Sequence, residues 1–263
     1  MGSKPLSPEQ SRQFVRSIEI DPPPAFRSLA QDDRVLESSV PTYRDSDQAV
    51  VIGSQIAEFA ADVPAELRPH ISNSFLLAQL AAKKAIEHSG GGTREFFDKY
   101  VDVLTSIGWV GEGIAETGHE VRGDTLQAHK EIIAVVATAL GPAAAAASVV
   151  LAALKGLKAM TENSPWITLF DRQSQTRSVQ QFQIAYARAK DGVAPEIILA
   201  CFELSASASV TQVLFFKFSS SDAKLHHRQA KLSMNETTFK AVQDDVKNKI
   251  AAHISSLIQA IDI

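Results

Sequence analysis

Cys201 is the residue of this chain best suited to covalent chemistry, because a cysteine thiolate is a strong nucleophile that forms covalent acyl intermediates. It is the sole cysteine among 263 residues, so the chain cannot form an intramolecular disulfide or a multi-cysteine metal site. It lies within PEIILACFELS (195–205), an apolar run that predicts a buried strand. Two interpretations are open: a small buried hydrophobe, the usual role of a free cysteine, or a thiol with a function.

A cysteine nucleophile needs a base within hydrogen-bonding distance, and the nearest candidates along the sequence are His226 and His227. We expect a meander of antiparallel strands in which strand 211–218 separates these histidines from Cys201 by roughly 10 Å. Glu203 would share the face of Cys201 and disfavour a thiolate. The pattern therefore does not favour a papain-like enzyme.

A covalently acylated cysteine is a further possibility, since a thioester-linked fatty acid needs an apolar cavity around its chain. Apolar residues flank Cys201 on its own strand and occur again on the next predicted strand. Each methylene group that such residues shelter from water would contribute about 0.8 kcal/mol. The candidates for the walls of an acyl pocket are Leu199, Phe202, Leu214 and Phe216.

Other patterns that often carry chemistry do not support a catalytic or metal-binding role. GWVGEGIAETG (108–118) superficially resembles a dinucleotide-binding loop, but Glu116 occupies the third glycine position and a predicted helix precedes the stretch, so we predict a plain loop. No GxxxxGK[ST], GxSxG or HExxH motif occurs, and the histidine spacings fit no metal site. A net charge of −4, with basic residues spread along the chain, does not indicate nucleic-acid binding.

The elements that must position Cys201 follow an α+β pattern. Residues 1–44, with three consecutive prolines, predict an extended arm with one helical turn. Residues 46–161 show helical periodicity, beginning with SDQAVVIGSQIAEFAADV (46–63), and residues 177–234 predict four antiparallel strands. Asn235 predicts the N-cap of a C-terminal helix over 236–261. We expect a single domain over 45–263, with a helix-rich layer packed on a small four-stranded antiparallel sheet.

The apolar stretch IIAVVATALGPAAAAASVVLAAL (132–154) contains no charged side chain. Gly141-Pro142 interrupts it, which predicts a central alanine-rich helical hairpin rather than one continuous helix. Its length suits a membrane span, but alanines supply little insertion free energy, and the interruption would leave backbone groups unsatisfied in lipid. A buried pair of helices and a hairpin that inserts into a bilayer only under certain conditions remain open alternatives.

The single cysteine within IILACFEL (197–204), in the second half of a helix-rich chain with a small antiparallel sheet, resembles the Erwinia virulence factor (Evf) group of bacterial virulence proteins. The resemblance implies an α/β fold that encloses a palmitate attached by a thioester to Cys201. It implies that residues 132–154 form part of the wall around that palmitate. It also implies a non-enzymatic virulence protein that associates with a lipid membrane or a host protein.

Two alternatives from other functional classes stay open. One is a helical pore-forming toxin that inserts the 132–160 hairpin, and the other is an acyltransferase or thioesterase that uses Cys201 as its nucleophile. We expect no metal cofactor and no nucleic-acid partner. The N-terminus lacks the apolar segment of a secretory signal, so we expect the protein in the cytoplasm of the producing cell, with release and membrane association in a host.

Overall fold

The structure, a computed structural model, describes residues 5–23, 41–119, 180–189, 194–205 and 224–261, together with residues 134, 138, 170 and 172–174. Helices and a mixed sheet make up this part of the chain. The predicted α+β class is therefore confirmed.

The helices with described bounds are α1 (Pro8–Ser17), α2 (Arg68–Ser89), α3 (Thr93–Ser106) and α4 (Glu236–Leu257). α2 packs against α3 and α4, and α1 packs against α4. The predicted N-cap of α4 is confirmed, since Asn235 Oδ1 accepts a hydrogen bond from the backbone N–H of Thr238 at 3.2 Å. The C-terminal helix ends at Leu257, four residues before the predicted end, because the chain continues as a strand.

The N-terminal region contains a complete helix where the sequence predicted an extended arm with one turn. α1 begins with a capping box, in which Ser7 Oγ accepts from the Gln10 N–H at 3.3 Å and Gln10 Oε1 accepts from the Ser7 N–H at 2.9 Å. Val15 is buried, and Arg12 Nε donates to the carbonyl of Ala241 in α4 at 2.9 Å. Packing on α4 therefore stabilises a segment with little apolar periodicity of its own.

The sheet has seven strands in the described part of the chain: β1 (Gln48–Ile52), β2 (Gln55–Phe59), β3 (Trp109–His119), β4 (Gln180–Ala189), β5 (Pro195–Ser205), β6 (Lys224–Met234) and β7 (Ile258–Ile261). Their spatial order is β3-β6-β5-β4-β2-β1-β7. β2 runs parallel to β4, and the other neighbouring strands are antiparallel. The prediction of a purely antiparallel four-stranded sheet was wrong in strand number and direction. Three of its strands are confirmed as β4, β5 and β6, and the fourth, over 210–219, lies outside the described residues.

Residues 46–63, which the sequence predicted as a helix, form the β1–β2 hairpin instead. Every residue of both strands is buried, so apolar side chains occupy both faces and the usual alternation is lost. Gly53 makes the turn with a φ of +55°, a conformation that favours glycine. Gln79 of α2 holds this turn: its Nε2 donates to the Ile52 carbonyl at 2.9 Å and its Oε1 accepts from the Ser54 N–H at 3.1 Å.

β3 occupies one edge of the described sheet, although the sequence predicted a loop there. Its glycines and charged residues hide the alternation that indicates a strand. The register against β6 shifts between Gly111 and Gly113, which makes Glu112 the extra residue of a β-bulge. Glu112 Oε2 accepts from Lys231 Nζ of β6 at 2.8 Å, so the bulge places a paired charge on the edge strand.

The sheet is buried on both faces. On one face, side chains such as Ala57, Leu199 and Leu232 join residues of α2, α3 and α4 in one continuous core. On the other face, the rings of Phe182 and Phe202 stack with centroids 5.0 Å apart. Cys201 belongs to the first face, which is the one covered by these helices.

The predicted hairpin over 132–160 lies outside the described residues, apart from Ala134 and Thr138, which are helical. Among the helices that the structure describes, none combines the length and the apolar character that a membrane crossing requires.

Candidate functional site around Cys201

Cys201 lies in an interior strand of the sheet, with β4 on one side of it and β6 on the other. Its register partners are Gln183 in β4 and Arg228 in β6. β5 pairs directly with β6, so the prediction that another strand separates Cys201 from the histidines was wrong. The predicted intervening strand, 211–218, lies outside the described residues.

The two histidines take up different positions around β5. His227 pairs with Phe202, and their rings lie 5.9 Å apart on the face opposite Cys201. His226 pairs with Glu203, two residues along the strand from the cysteine. Neither histidine is the register partner of Cys201, and Gln183 and Arg228, which are, do not act as general bases at neutral pH.

The thiol of Cys201 is buried, with 2% of the residue exposed, and two amide groups point at it. Gln181 Nε2 lies 3.5 Å from the sulfur and Gln183 Nε2 lies 3.8 Å from it. Burial raises the pKa of the Cys201 thiol to about 12, against the lowering effect of the hydrogen bonds from Gln183 and Gln181. The charge of Glu203 raises this pKa further, as the sequence predicted, and the charge of Arg228 lowers it. The resting thiol is therefore largely protonated at neutral pH.

The two glutamines belong to a buried polar group that also includes Ser54 and Gln79, and we call these four residues the amide cluster. Ser54 Oγ lies 3.0 Å from Gln183 Oε1 and 3.3 Å from Gln79 Oε1. Because Gln79 also holds the β1–β2 turn, α2 and this hairpin together fix the orientation of the Gln183 amide. Gln181 is held less firmly, since its Oε1 has no hydrogen-bond partner within the described structure.

Helix α3 contacts residues that neighbour the cysteine in the sheet. The hydroxyl of Tyr100 donates to Gln55 Oε1 at 2.6 Å, and burial raises the pKa of this hydroxyl well above its usual value. Arg228 pairs with Asp98 at 3.0 Å and places its guanidinium 5.6 Å from the ring centroid of Phe97. α3 therefore holds Arg228, the register partner of Cys201 in β6.

A cleft adjoins the amide cluster, and the amides of Gln181 and Gln183 connect its lining to the sulfur. All four members of the cluster line it, with Lys83 and Gln173 as further polar residues. Its apolar walls are Leu80, Ile86, Phe96 and Leu257. The enclosed space between the walls is small, about 20 Å³, which is close to what one water molecule needs, so an acyl chain would require the walls to move apart. The cleft therefore combines an apolar lining with polar groups that contact Cys201.

The structure describes two of the predicted acyl-pocket residues, and they lie on opposite faces of the sheet. Leu199 shares the face of Cys201, whereas Phe202 points to the opposite face and stacks on Phe182. Leu214 and Phe216 lie outside the described residues. The sequence analysis missed Gln181 and Gln183, although QQFQ at the start of a strand places two amides on one face of an otherwise apolar segment.

The described residues include no group of three or more histidine, cysteine, aspartate or glutamate side chains that could hold a metal ion. The groups that contact the sulfur of Cys201 are the amides of Gln181 and Gln183. Such groups donate hydrogen bonds to a carbonyl oxygen.

We compared the chain with protein-family models, curated proteins and solved structures. No protein-family model matches the chain, and no curated protein matches it. Solved structures that resemble it include the following three. One is a delta-endotoxin, 14% identical over 70% of this chain and 84% of that chain, with a TM-score of 0.42. Another is the activated Cyt2Ba monomer from Bacillus thuringiensis subsp. israelensis, 16% identical over 52% of this chain and 79% of that chain, with a TM-score of 0.33.

The third is the Evf virulence factor. It is 12% identical over 85% of this chain and 88% of that chain, with a TM-score of 0.36. The function proposed below rests on the residues around Cys201.

Proposed function

We propose that this protein carries a fatty acid, palmitate being the chain that the sequence resemblance implies, as a thioester on Cys201. The observation that carries the proposal is the convergence of two buried glutamine amides on the sulfur of Cys201 beside an apolar-walled cleft. A cysteine with a purely structural role needs neither the amides nor the cleft. An acyl group needs both, because its carbonyl is polar and its chain is apolar.

The energetics favour a sheltered chain. Every methylene group that leaves water for the cleft contributes about 0.8 kcal/mol. The carbonyl oxygen would cost free energy if it were buried without a donor, and the glutamine amides are donors at the right place. We infer that the walls of the cleft move apart to admit part of the acyl chain, and that the acyl group meets its partner, a lipid membrane or a host protein, at the cleft mouth. The virulence role implied by the resemblance to Evf forms part of this proposal.

The test is metabolic labelling with an alkynyl fatty acid during expression. Wild-type protein should become labelled, and hydroxylamine at neutral pH should remove the label, because hydroxylamine cleaves thioesters. Cys201→Ser should remain unlabelled while it keeps the wild-type circular dichroism spectrum. Equal labelling of the two proteins would show that the fatty acid is attached elsewhere, and absence of label from both would refute acylation.

A flotation assay tests the partner. Labelled wild-type protein should float with phosphatidylcholine vesicles, whereas Cys201→Ser should stay at the bottom of the gradient. If both proteins float to the same extent, the membrane association does not depend on the acyl group.

A further inference from the structure

The contacts of Gln181 and Gln183 with Cys201 do not require two amide donors. Both are almost fully buried, with exposed fractions of 3% and 1%. A thiol sulfur is a weak hydrogen-bond acceptor, yet each glutamine directs an amide N–H at it, at 3.5 and 3.8 Å. Buried polar groups usually have strong partners, because an amide that is removed from water without one costs free energy. The sulfur is therefore a weaker hydrogen-bond acceptor than two buried amide donors usually have.

The unpartnered Gln181 Oε1 points to the same conclusion. Gln181 lines the cleft and reaches Cys201, so its amide stands between the sulfur and the space in which an acyl chain would lie. Gln183 differs in that its Oε1 is held by Ser54. The amide of Gln183 is thus fixed by its neighbours, whereas the amide of Gln181 can change its orientation to contact a bound group.

We propose that the side-chain amides of Gln181 and Gln183 bind the carbonyl oxygen of the acyl group on Cys201. This inference rests on the proposed acylation and assigns the residues that position the thioester. In a thioester the carbonyl carbon is bonded directly to the sulfur. The carbonyl oxygen is therefore only two bonds from the sulfur that both amides now contact. The same two N–H groups can therefore turn from the sulfur to the oxygen with small changes of rotamer.

The arrangement also suits the transfer of an acyl group from a thioester donor such as an acyl-coenzyme A. The thiol proton leaves to solvent through the cleft, the sulfur bonds to the carbonyl carbon, and the carbonyl electron pair moves onto the oxygen. When this intermediate collapses, the C=O bond reforms and the carbon–sulfur bond of the donor breaks. The donor leaves as a thiolate and takes up a proton. Two amide donors would stabilise the oxyanion that forms between these steps.

Infrared spectroscopy of the acylated protein tests the proposal directly. Cells that express the protein are fed palmitic acid labelled with ¹³C at the carboxyl carbon, and the labelled thioester carbonyl band is recorded. Hydrogen bonds lower a carbonyl stretching frequency, so Gln181→Met and Gln183→Met should each shift the band upwards. Gln173→Met is the matched control, because Gln173 lines the same cleft and its Oε1 accepts from Lys83 Nζ. This control should leave the band in place.

The second measurement is a ratio of two reaction rates of Cys201, determined on protein that hydroxylamine has deacylated. Transfer from palmitoyl-coenzyme A is divided by the rate of reaction with methyl methanethiosulfonate, a thiol reagent without a carbonyl, which corrects for changes in thiol pKa and access. Each of the two methionine variants should lower this ratio about 100- to 1,000-fold. If Gln183→Met unfolds because Ser54 loses its partner, Gln181→Met still carries the test.

The outcomes separate this inference from the proposed function. An acylated wild-type protein whose band and ratio do not change in Gln181→Met would overturn the role of the amides and leave acylation standing. A wild-type protein that never carries the labelled carbonyl would refute the proposed function, and this inference with it.

Discussion

At the scale of single residues, the burial of Cys201 governs what its thiol can do. The raised thiol pKa, about 12, keeps the sulfur protonated at neutral and mildly alkaline pH. This state is unsuited to a hydrolase, which needs a thiolate for every turnover, but it is compatible with a thioester that forms once and persists.

We predict that iodoacetamide alkylates Cys201 of the folded, deacylated protein at least a hundredfold more slowly than it alkylates the urea-unfolded chain at pH 8. The reason is that both the thiolate fraction and the access to the sulfur fall on folding. Intact-mass measurements over time give both rates. Similar rates in the two states would show that the thiol is exposed or ionised in the fold.

Glu58 is a second buried titratable residue, and it lies on the opposite face of the sheet from Cys201. It is 1% exposed, and neither carboxyl oxygen has a hydrogen-bond partner in the described structure. Burial raises the pKa of the Glu58 carboxyl from 4.5 to about 9, and the charge of Asp47 adds to the rise. The folded state therefore keeps a proton that the unfolded chain loses above pH 4.5.

This difference makes the stability depend on pH. Below pH 4.5 both states hold the proton, and between pH 4.5 and 9 the folded state loses stability by about 1.4 kcal/mol per pH unit as the pH rises. Glu58→Gln should remove this dependence. Urea unfolding at pH 5, 6, 7 and 8 measures the free energy of unfolding of both proteins. The value for Glu58→Gln minus the value for the wild type should increase at each step. A constant difference across this range would contradict a buried, protonated Glu58.

At the scale of elements, the β1–β2 hairpin is the part of the fold that the sequence predicted least well. Its apolar residues occupy both faces, and their spacing in AVVIGSQIAEF matches a helix as well as a strand. The strand choice depends on contacts far along the chain, with β4 beside β2 and β7 beside β1. By contrast, β5 was predicted correctly because its apolar run and its boundaries are local features.

The turn of this hairpin gives a matched pair of glycine substitutions. Gly53→Ala should destabilise the protein by about 2–3 kcal/mol, because its φ is positive and a Cβ atom would lie 2.4 Å from Gln79 Oε1, disturbing two hydrogen bonds. Gly90→Ala, at φ +69°, has nothing within 4 Å of its Cβ and should cost only about 1 kcal/mol of strain. Chemical denaturation measures both. Equal losses would mean that Gln79 does not hold the turn.

At the scale of the whole molecule, the site depends on segments from distant parts of the sequence. The amide cluster draws on the hairpin, on α2 and on β4, and α3 contacts Arg228, the register partner of Cys201. Sequence analysis could identify Cys201 and its strand, because a single cysteine in an apolar run is visible by inspection. It could not predict Ser54 and Gln79 as neighbours of Gln183, because Ser54 approaches it through the parallel pairing of β2 with β4 and Gln79 through the packing of α2 on the β1–β2 turn.

The acyl group should stabilise the entire fold if its chain lies in the cleft. We predict that removing it with hydroxylamine lowers the melting temperature of the wild-type protein by at least about 5 °C, since each buried methylene contributes about 0.8 kcal/mol. Cys201→Ser treated in the same way is the control and should not change. An unchanged melting temperature after confirmed deacylation would place the chain outside the core.

The intact mass of the purified wild-type protein, before and after hydroxylamine, tests the central claim most directly. The account predicts a mass that exceeds the sequence mass by one fatty acyl group, and a return to the sequence mass after treatment. A mass equal to that of the sequence before any treatment, in protein purified from cells supplied with fatty acid, would contradict it and leave Cys201 as a buried residue of the core.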